Sequence, residues 1–108
     1  MNSEDPEITK IKNELALKSV NSYDFGINYF YFGYAQDSTF GFIAKQGNCL
    51  WVRIIYYDLW NKKAIFDTYS YNKDRLYKDI EKLSLIYHKN LKYKKKLQIE
   101  SICKEDFN

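Results

Sequence analysis

Apolar and aromatic residues are concentrated between residues 23 and 72, where short polar breaks separate four runs of strand-forming residues. The runs are rich in Val, Ile, Phe, Tyr and Trp, which favour half-buried, pleated backbone. Because the breaks are short, consecutive strands can pair as neighbours in an antiparallel meander. The predicted strands cover residues 23–34, 39–45, 49–60 and 64–71, and the breaks are Gln36-Asp37-Ser38, Gln46-Gly47-Asn48 and Asn61-Lys62-Lys63.

Helical spacing replaces the strand pattern on both sides of this region. Asp5-Pro6-Glu7 is typical of a helix start, because Asp accepts free backbone amides and Pro tolerates the first helical position. Ile8, Ile11 and Leu15 follow at helical intervals, and a first helix is predicted over residues 6–20.

A second helix is predicted from a cap at Asn72 or Asp74 to about residue 90. Its apolar positions recur at intervals of four, three and four residues, at Leu76, Ile80, Leu83 and Tyr87. Apolar and polar residues alternate only weakly over residues 97–103, so the sequence is compatible with either an edge strand or a short third helix.

These patterns predict a single α+β domain over residues 1–108. Its expected order is helix, four-stranded antiparallel meander, helix and an optional C-terminal edge strand, with the helices packed on one sheet face. Residues 1–4 and 104–108 are expected to be frayed.

Alternation along the last two strands separates a core face from a second face that can contact a partner. The core face carries Val52, Ile54, Tyr69 and Tyr71, and the second face carries Trp51, Arg53, Tyr57, Thr68 and Ser70. A two-residue turn at Gly47-Asn48 would add Phe40 and Phe42 to the second face, whereas a three-residue turn would place both in the core. The candidate partner-binding residues are therefore Trp51, Arg53, Tyr57, Phe40 and Phe42, with the first three partly exposed.

The last hairpin is predicted to have a two-residue turn at Asn61-Lys62, which sets Asp58 opposite Ile65. A longer turn would set Asp58 opposite Asp67, and like charges disfavour that pairing. The shorter turn is therefore expected.

The overall charge is too small to indicate that duplex nucleic acid is held by charge alone. Seventeen Lys and Arg residues stand against fourteen Asp and Glu residues, a net charge of +3. Basic residues are nevertheless clustered between residues 89 and 96, a segment that suits a solvated helix end or phosphate contacts. The candidate phosphate contacts are Lys92, Lys94, Lys95 and Lys96.

Residue types that carry catalysis or hold metals are scarce. His88 is the one histidine, and Cys49 and Cys103 are the two cysteines, with no nucleophile–base motif and no zinc-like spacing. No phosphate-cradling glycine motif occurs. We therefore expect no enzyme activity, no catalytic residue, no metal and no cofactor. His88 is expected to be a surface or capping residue, and Cys49 a small buried one.

The chain has neither a secretory signal nor an apolar run of membrane-spanning length. The expected setting is the reducing cytoplasm, without membrane contact and with both thiols free. The sequence does not exclude a disulfide between Cys49 and Cys103. The cations are almost all lysine, which together with abundant Asn, Ile and Tyr is typical of AT-rich genes. Such genes occur in low-GC bacteria, their phages and mobile elements.

Phe40-Gly41-Phe42-Ile43 resembles the core of the ribonucleoprotein octamer of RNA-recognition motifs and cold-shock domains. Leu50-Trp51-Val52-Arg53-Ile54 follows about where a cold-shock domain has its second aromatic strand. The resemblance implies that aromatic side chains on adjacent strands stack on the bases of single-stranded nucleic acid. The chain departs from the family pattern at Ser38-Thr39, where the family has a basic residue and a glycine, and in having a helix before the sheet.

The sequence as a whole favours a small non-enzymatic binding protein with a protein partner, because Trp, Tyr and Arg dominate protein–protein contacts. A short chain of AT-rich origin without catalytic groups fits an inhibitor or immunity protein, such as an anti-CRISPR-like antagonist encoded by a phage or mobile element. The alternative is a binder of single-stranded nucleic acid (RNA) or of a nucleoprotein, using Phe40, Phe42, Trp51 and Arg53 for stacking and the lysine segment for phosphate. A homodimer formed through an edge strand also stays open.

Overall fold

The computed structural model describes residues 4–106, with the side chains described up to Ser101. It is an α+β fold of two helices and one five-stranded antiparallel sheet in which the strands follow one another in the order β1-β2-β3-β4-β5. The elements are α1 (Pro6–Leu17), β1 (Asn21–Gly26), β2 (Tyr29–Gly33), β3 (Thr39–Gln46), β4 (Cys49–Asp58), β5 (Lys63–Ser70) and α2 (Lys73–Asp106).

Helix α1 begins where the sequence predicts and ends three residues early. The Asp5 carboxylate accepts a hydrogen bond of 2.9 Å from the Glu7 amide and so caps the first turn. At the other end, Ser19 adopts a φ of 61°, and the Val20 amide donates to the Leu15 carbonyl at 3.0 Å. A left-handed residue followed by this backward hydrogen bond is a common helix stop, and it frees Val20 to pack in the core.

The predicted first strand, residues 23–34, is a hairpin made of β1 and β2. Gly26 pairs with Tyr29, so the two-residue turn consists of Ile27 and Asn28. A register shift between Asp24 and Gly26 leaves Phe25 as an extra residue in β1. The sheet therefore has five strands rather than four, and β1 begins two residues before the region that the sequence identified.

The predicted register of the β4–β5 hairpin is wrong by two residues. Asp58 pairs with Lys63 instead of Ile65, and the connection is a four-residue loop from 59 to 62. Both the amide and the side chain of Asn61 donate to the Asp58 carboxylate, at 3.1 and 2.8 Å, and this local capping stabilises the longer loop. A shift of two residues preserves the facing of every side chain, so the division into two sheet faces is unaffected.

Helix α2 is one continuous element of 34 residues and does not end near Asn90. Residues 97–103 are helical, so the optional edge strand is absent and there is no separate third helix. Helix α2 contains no Gly or Pro and is rich in Lys and Leu, which have high helix propensity. Every described side chain from Leu91 to Ser101 is exposed except that of Tyr93, which is half-buried beside Trp60.

A single hydrophobic core joins both helices to one face of the sheet. The sheet contributes Phe30, Phe32, Phe40, Ile43, Val52 and Ile54, α1 contributes Ile8, Ile11 and Leu15, and α2 contributes Leu76, Ile80 and Leu83. Two hydroxyl groups tie α2 to the sheet: Tyr34 donates to the Ser84 hydroxyl and Tyr69 donates to the Asp79 carboxylate, both at 2.6 Å. Within residues 4–106, no helix combines the length and the apolar composition needed to cross a bilayer.

Candidate partner-binding surface

The sheet has a second face, here called the open face, whose side chains alternate with those of the core. Phe42 pairs with Arg53, and Arg53 pairs with Thr68, which sets all three side chains on this face. The same alternation adds the neighbouring outward residues of β2, β3, β4 and β5. The open face thus comprises Tyr29, Tyr31, Phe42, Ala44, Trp51, Arg53, Ile55, Tyr57, Ala64, Phe66, Thr68 and Ser70.

Large apolar side chains on this side of the sheet are strongly exposed. The exposed fractions are 73% for Phe25, 67% for Phe66, 49% for Tyr57, 46% for Ile55 and 39% for Trp51. Soluble monomers rarely leave so many neighbouring aromatic groups in water unless the patch binds something. The expected partial exposure of Trp51, Arg53 and Tyr57 is confirmed.

Four rings pack against one another at the β1–β2–β3 end of the open face. Tyr29 lies 4.9 Å from Phe42 and 5.6 Å from Tyr31, and Phe25 contacts both tyrosines at 5.6 and 5.8 Å between ring centroids. Partial burial, together with the neighbouring Tyr31 hydroxyl, raises the pKa of Tyr29 to about 12. These rings hold one another in fixed positions, which lowers the entropy lost when a partner covers them.

Arg53 is the one charged side chain among the outward strand residues of the open face. Its Nε donates to the Thr68 hydroxyl at 3.0 Å, and its guanidinium carbon lies 5.2 Å from the Phe42 ring and 5.5 Å from the Phe66 ring. Two aromatic neighbours and one hydroxyl therefore fix the orientation of the guanidinium. Among the side chains that the structure describes, those of residues 4–101, no carboxylate forms a salt bridge with it.

The placement of Phe40 on this face is wrong. Gly47-Asn48 is the two-residue turn, with Gln46 paired to Cys49, and that turn does set Phe42 on the open face. However, Phe32 pairs with Gly41 while Gly33 pairs with Thr39, so Phe40 is the extra residue of a β-bulge. The bulge reverses the alternation, and Phe40 is fully buried. It packs 5.1 Å from the Tyr34 ring and 5.4 Å from the Tyr56 ring.

Gly41 permits this bulge because it brings two backbones into close approach. A Cβ at this position would lie 2.0 Å from the Arg53 carbonyl oxygen, well inside any allowed contact. Of the Phe40-Gly41-Phe42 segment that resembles the ribonucleoprotein octamer, only Phe42 is therefore available for stacking. The glycine has a packing role in β3–β4.

A pocket of about 450 Å³ opens where β3 and β4 separate, beyond the last pair, Gly41 with Ile54. It shares Ile55, Tyr57 and Phe66 with the open face and reaches Asn90, Leu91 and Lys94 of α2. The side chain of Asn90 closes the inner wall by bonding to β4: its amide nitrogen donates to the Tyr57 carbonyl, and its oxygen accepts from the Leu59 amide, both at 2.9 Å.

The candidate phosphate contacts are not gathered beside the aromatic residues. Around α2, Lys92, Lys95 and Lys96 lie more than about 100° from Asn90, which faces the sheet, so they point away from it. Lys94 alone lines the pocket at the end of the open face. The structure therefore separates most of the lysine segment from Phe42, Trp51 and Arg53.

The chemically reactive side chains are dispersed. Cys49 is an exposed free thiol at the start of β4, which corrects the expectation that it is buried. His88 is exposed on α2, where its Nδ1 lies 2.7 Å from the Ser84 carbonyl and its ring contacts Tyr34 and Tyr87. The Cys103 side chain, and with it the state of that thiol, lies outside the described residues. Among the residues that the structure describes, no three His, Cys, Asp or Glu side chains could together hold a metal ion.

The prediction from sequence did not include several residues of this surface. Phe25 was assigned to the interior of a longer strand, and Ile55 and Phe66 were not singled out, although their positions two residues from Arg53 and Thr68 carried the signal. The sequence also predicts a helix end near Asn90, where the structure has a side chain bonded to β4. No family model, no curated protein and no solved structure matches the chain, so the description of this surface rests on its own geometry.

Proposed function

We propose that this chain is a small non-enzymatic binding protein that holds a protein partner on its open face. The observation that carries the proposal is the group of exposed aromatic side chains arranged around Arg53 on the sheet face that the helices leave uncovered. Trp, Tyr and Arg desolvate large areas at low cost in side-chain entropy, and they account for most of the binding energy at protein interfaces.

The dimensions of the open face suit a protein interface. A five-stranded sheet is about 19 Å wide and an eight-residue strand about 26 Å long, so the projected area is on the order of 500 Å². One side of a standard interface buries about 800 Å² of accessible surface, which a ruffled face of this size approaches. The pocket beside Tyr57 would give a partner side chain a place to insert.

The class of binding protein that fits best is an inhibitor or immunity protein that blocks a macromolecule. A rigid face on a single short domain can cover a functional site without any chemistry of its own. The lysine-rich composition is typical of AT-rich genes and supports an origin in a phage or mobile element. Such an origin favours an anti-CRISPR-like antagonist that acts on a bacterial defence system in the cytoplasm.

A single-stranded nucleic-acid binder is the second candidate, because Phe42, Trp51 and Arg53 together could stack on bases and contact a phosphate. It is supported less well, since affinity for nucleic acid depends on several cations close to the stacked strand. The outward strand residues of the open face supply one, Arg53.

Affinity capture from a low-GC bacterial lysate tests the proposal, with the eluate analysed for both proteins and RNA. Trp51→Ala is paired with Leu85→Ala, which removes an exposed apolar side chain from α2, and Arg53→Ala is paired with Lys92→Ala. We expect the same proteins on the wild type and on both α2 variants, and their loss from both open-face variants. Recovery of the same proteins by all four variants would remove the open face from the proposal.

A further inference from the structure

We infer that the partner is a protein segment that presents one Asp or Glu carboxylate to Arg53, with apolar side chains around that carboxylate. The inference rests on the proposed function and specifies the chemistry of the partner. It commits to a protein other than a second copy of this chain.

The guanidinium of Arg53 is held ready for an anion. Its Nε is bonded to the Thr68 hydroxyl, and the Phe42 and Phe66 rings flank it at 5.2 and 5.5 Å. Among residues 4–101, whose side chains the structure describes, the two terminal nitrogens with their four N–H donors have no hydrogen-bond partner. Two parallel N–H donors of a guanidinium match the two oxygens of a carboxylate, and a fixed orientation makes that match selective.

The surroundings of Arg53 determine what must accompany the carboxylate. Its nearest neighbours on the open face, along and across the strands, are Phe42, Trp51, Ile55, Phe66 and Thr68. A partner that covers these groups removes the guanidinium from water, and a buried charge without a counter-ion is strongly unfavourable. The partner must therefore supply one negative charge and surround it with apolar groups that meet the rings.

A second copy of this chain that pairs open face to open face does not meet these requirements. The outward residues of β2, β3, β4 and β5 include no Asp or Glu, so face-to-face pairing would bury two guanidinium groups without a carboxylate. A phosphate could also bind Arg53. However, a nucleic-acid strand brings a phosphate with each nucleotide, and the outward strand residues offer only this cation, with Lys92, Lys95 and Lys96 directed away from the sheet.

Selection from a phage-displayed library of random peptides tests the inference. The targets are the wild type, Arg53→Met, which keeps the length of the side chain without its charge, and the double variant Trp51→Ala/Phe66→Ala. We expect peptides selected on the wild type to carry an Asp or Glu between apolar residues. Changing that residue to Asn or Gln should weaken binding roughly ten- to a hundredfold. Peptides selected on Arg53→Met should lack the acidic residue.

The outcomes distinguish the inference about the carboxylate from the proposed function of the open face. If the wild type and Arg53→Met select the same peptides without an acidic residue, and the double variant selects none of them, the carboxylate inference is overturned and the open face stands as a binding surface. If the double variant selects the same peptides as the wild type, the proposed function is overturned as well. Tight binding of an oligothymidine that quenches Trp51 would replace the protein partner with nucleic acid. Circular dichroism of each variant verifies that it is folded.

Discussion

Asn90 of α2 and Tyr57 of β4 are joined by a hydrogen bond of 2.9 Å, in which the side-chain amide donates to the backbone carbonyl. The oxygen of the same amide accepts from the backbone of Leu59, two residues further along, also at 2.9 Å. A carbonyl and an amide two residues apart on one side of a strand are the groups that a neighbouring strand would bond. Asn90 thus takes the place of β3 where β3 has already parted from β4.

Replacing Asn90 should destabilise the fold, although the position is in the middle of a helix where Asn is a poor helix former. Asn90→Leu would leave the partly buried Leu59 amide and Tyr57 carbonyl without partners, and we expect it to lower the free energy of unfolding by about 2–4 kcal/mol. Asn90→Asp keeps the acceptor but sets a carboxylate against the Tyr57 carbonyl. Urea denaturation measures the free energy of unfolding of both variants. If Asn90→Leu were as stable as the wild type, the amide would not have this structural role.

Phe40 and Phe42 are two residues apart in the sequence but differ in burial, so replacing each with Ala should reduce stability by different amounts. Phe40→Ala removes a fully buried ring and is expected to cost about 3–5 kcal/mol. Phe42→Ala loses contacts with Tyr29 and Tyr31 on the open face and should cost about 1–2 kcal/mol. Thermal unfolding followed by circular dichroism provides the comparison. Equal losses for the two variants would contradict the β-bulge.

Gly41→Ala should be among the most damaging small substitutions in the chain. Its Cβ would meet the Arg53 carbonyl oxygen at 2.0 Å, so the β3–β4 pairing has to open. Gly47→Ala is the matched control, because a Cβ there meets no atom within 4 Å and the cost is limited to the left-handed backbone at a φ of 60°, about 1 kcal/mol. We expect Gly41→Ala to unfold at a much lower urea concentration than Gly47→Ala. The reverse order would show that the close approach is not rigid.

The carboxyl group of Asp58 should make stability fall in acid. Burial alone would raise its pKa, but hydrogen bonds from the side chain and backbone of Asn61 outweigh burial and hold the pKa below its ordinary value. The folded state therefore binds this proton more weakly than the unfolded state. The stabilisation is present above the unfolded pKa of about 3.9 and is lost as the pH falls through the lower folded value. In Asp58→Asn, the free energy of unfolding should change less between about pH 5 and pH 3 than in the wild type. If the free energy of unfolding of Asp58→Asn depended on pH as that of the wild type does, Asp58 would not have this role.

Periodicity in the sequence was enough to predict the α+β class and the two faces of the β4–β5 hairpin, and the capping residues predicted both helix starts. The faces followed from alternation, which an error of two residues in the register leaves unchanged. This is why Trp51, Arg53 and Tyr57 were correctly expected on the exposed side even though the turn was wrong. The Gly47-Asn48 turn was also among the predicted alternatives, and it places Phe42 correctly.

The remaining errors have local physical causes. Ile27 is apolar and concealed the β1–β2 turn within an aromatic run. The bulge at Phe40 depends on the fit between Gly41 and the Arg53 backbone, a contact between strands that no single-strand pattern contains. Helix α2 continues past Asn90 because apolar periodicity reports burial, whereas helix continuation requires only the absence of breakers and adequate propensity.

The affinity of a captured protein partner for Trp51→Ala, compared with Leu85→Ala by calorimetry, is the most direct test of the claim that the open face binds. A central aromatic contact is worth about 2 kcal/mol or more, so Trp51→Ala should weaken binding by roughly thirtyfold or more, while Leu85→Ala should bind like the wild type. Wild-type affinity in both variants, or a loss confined to Leu85→Ala, would contradict it.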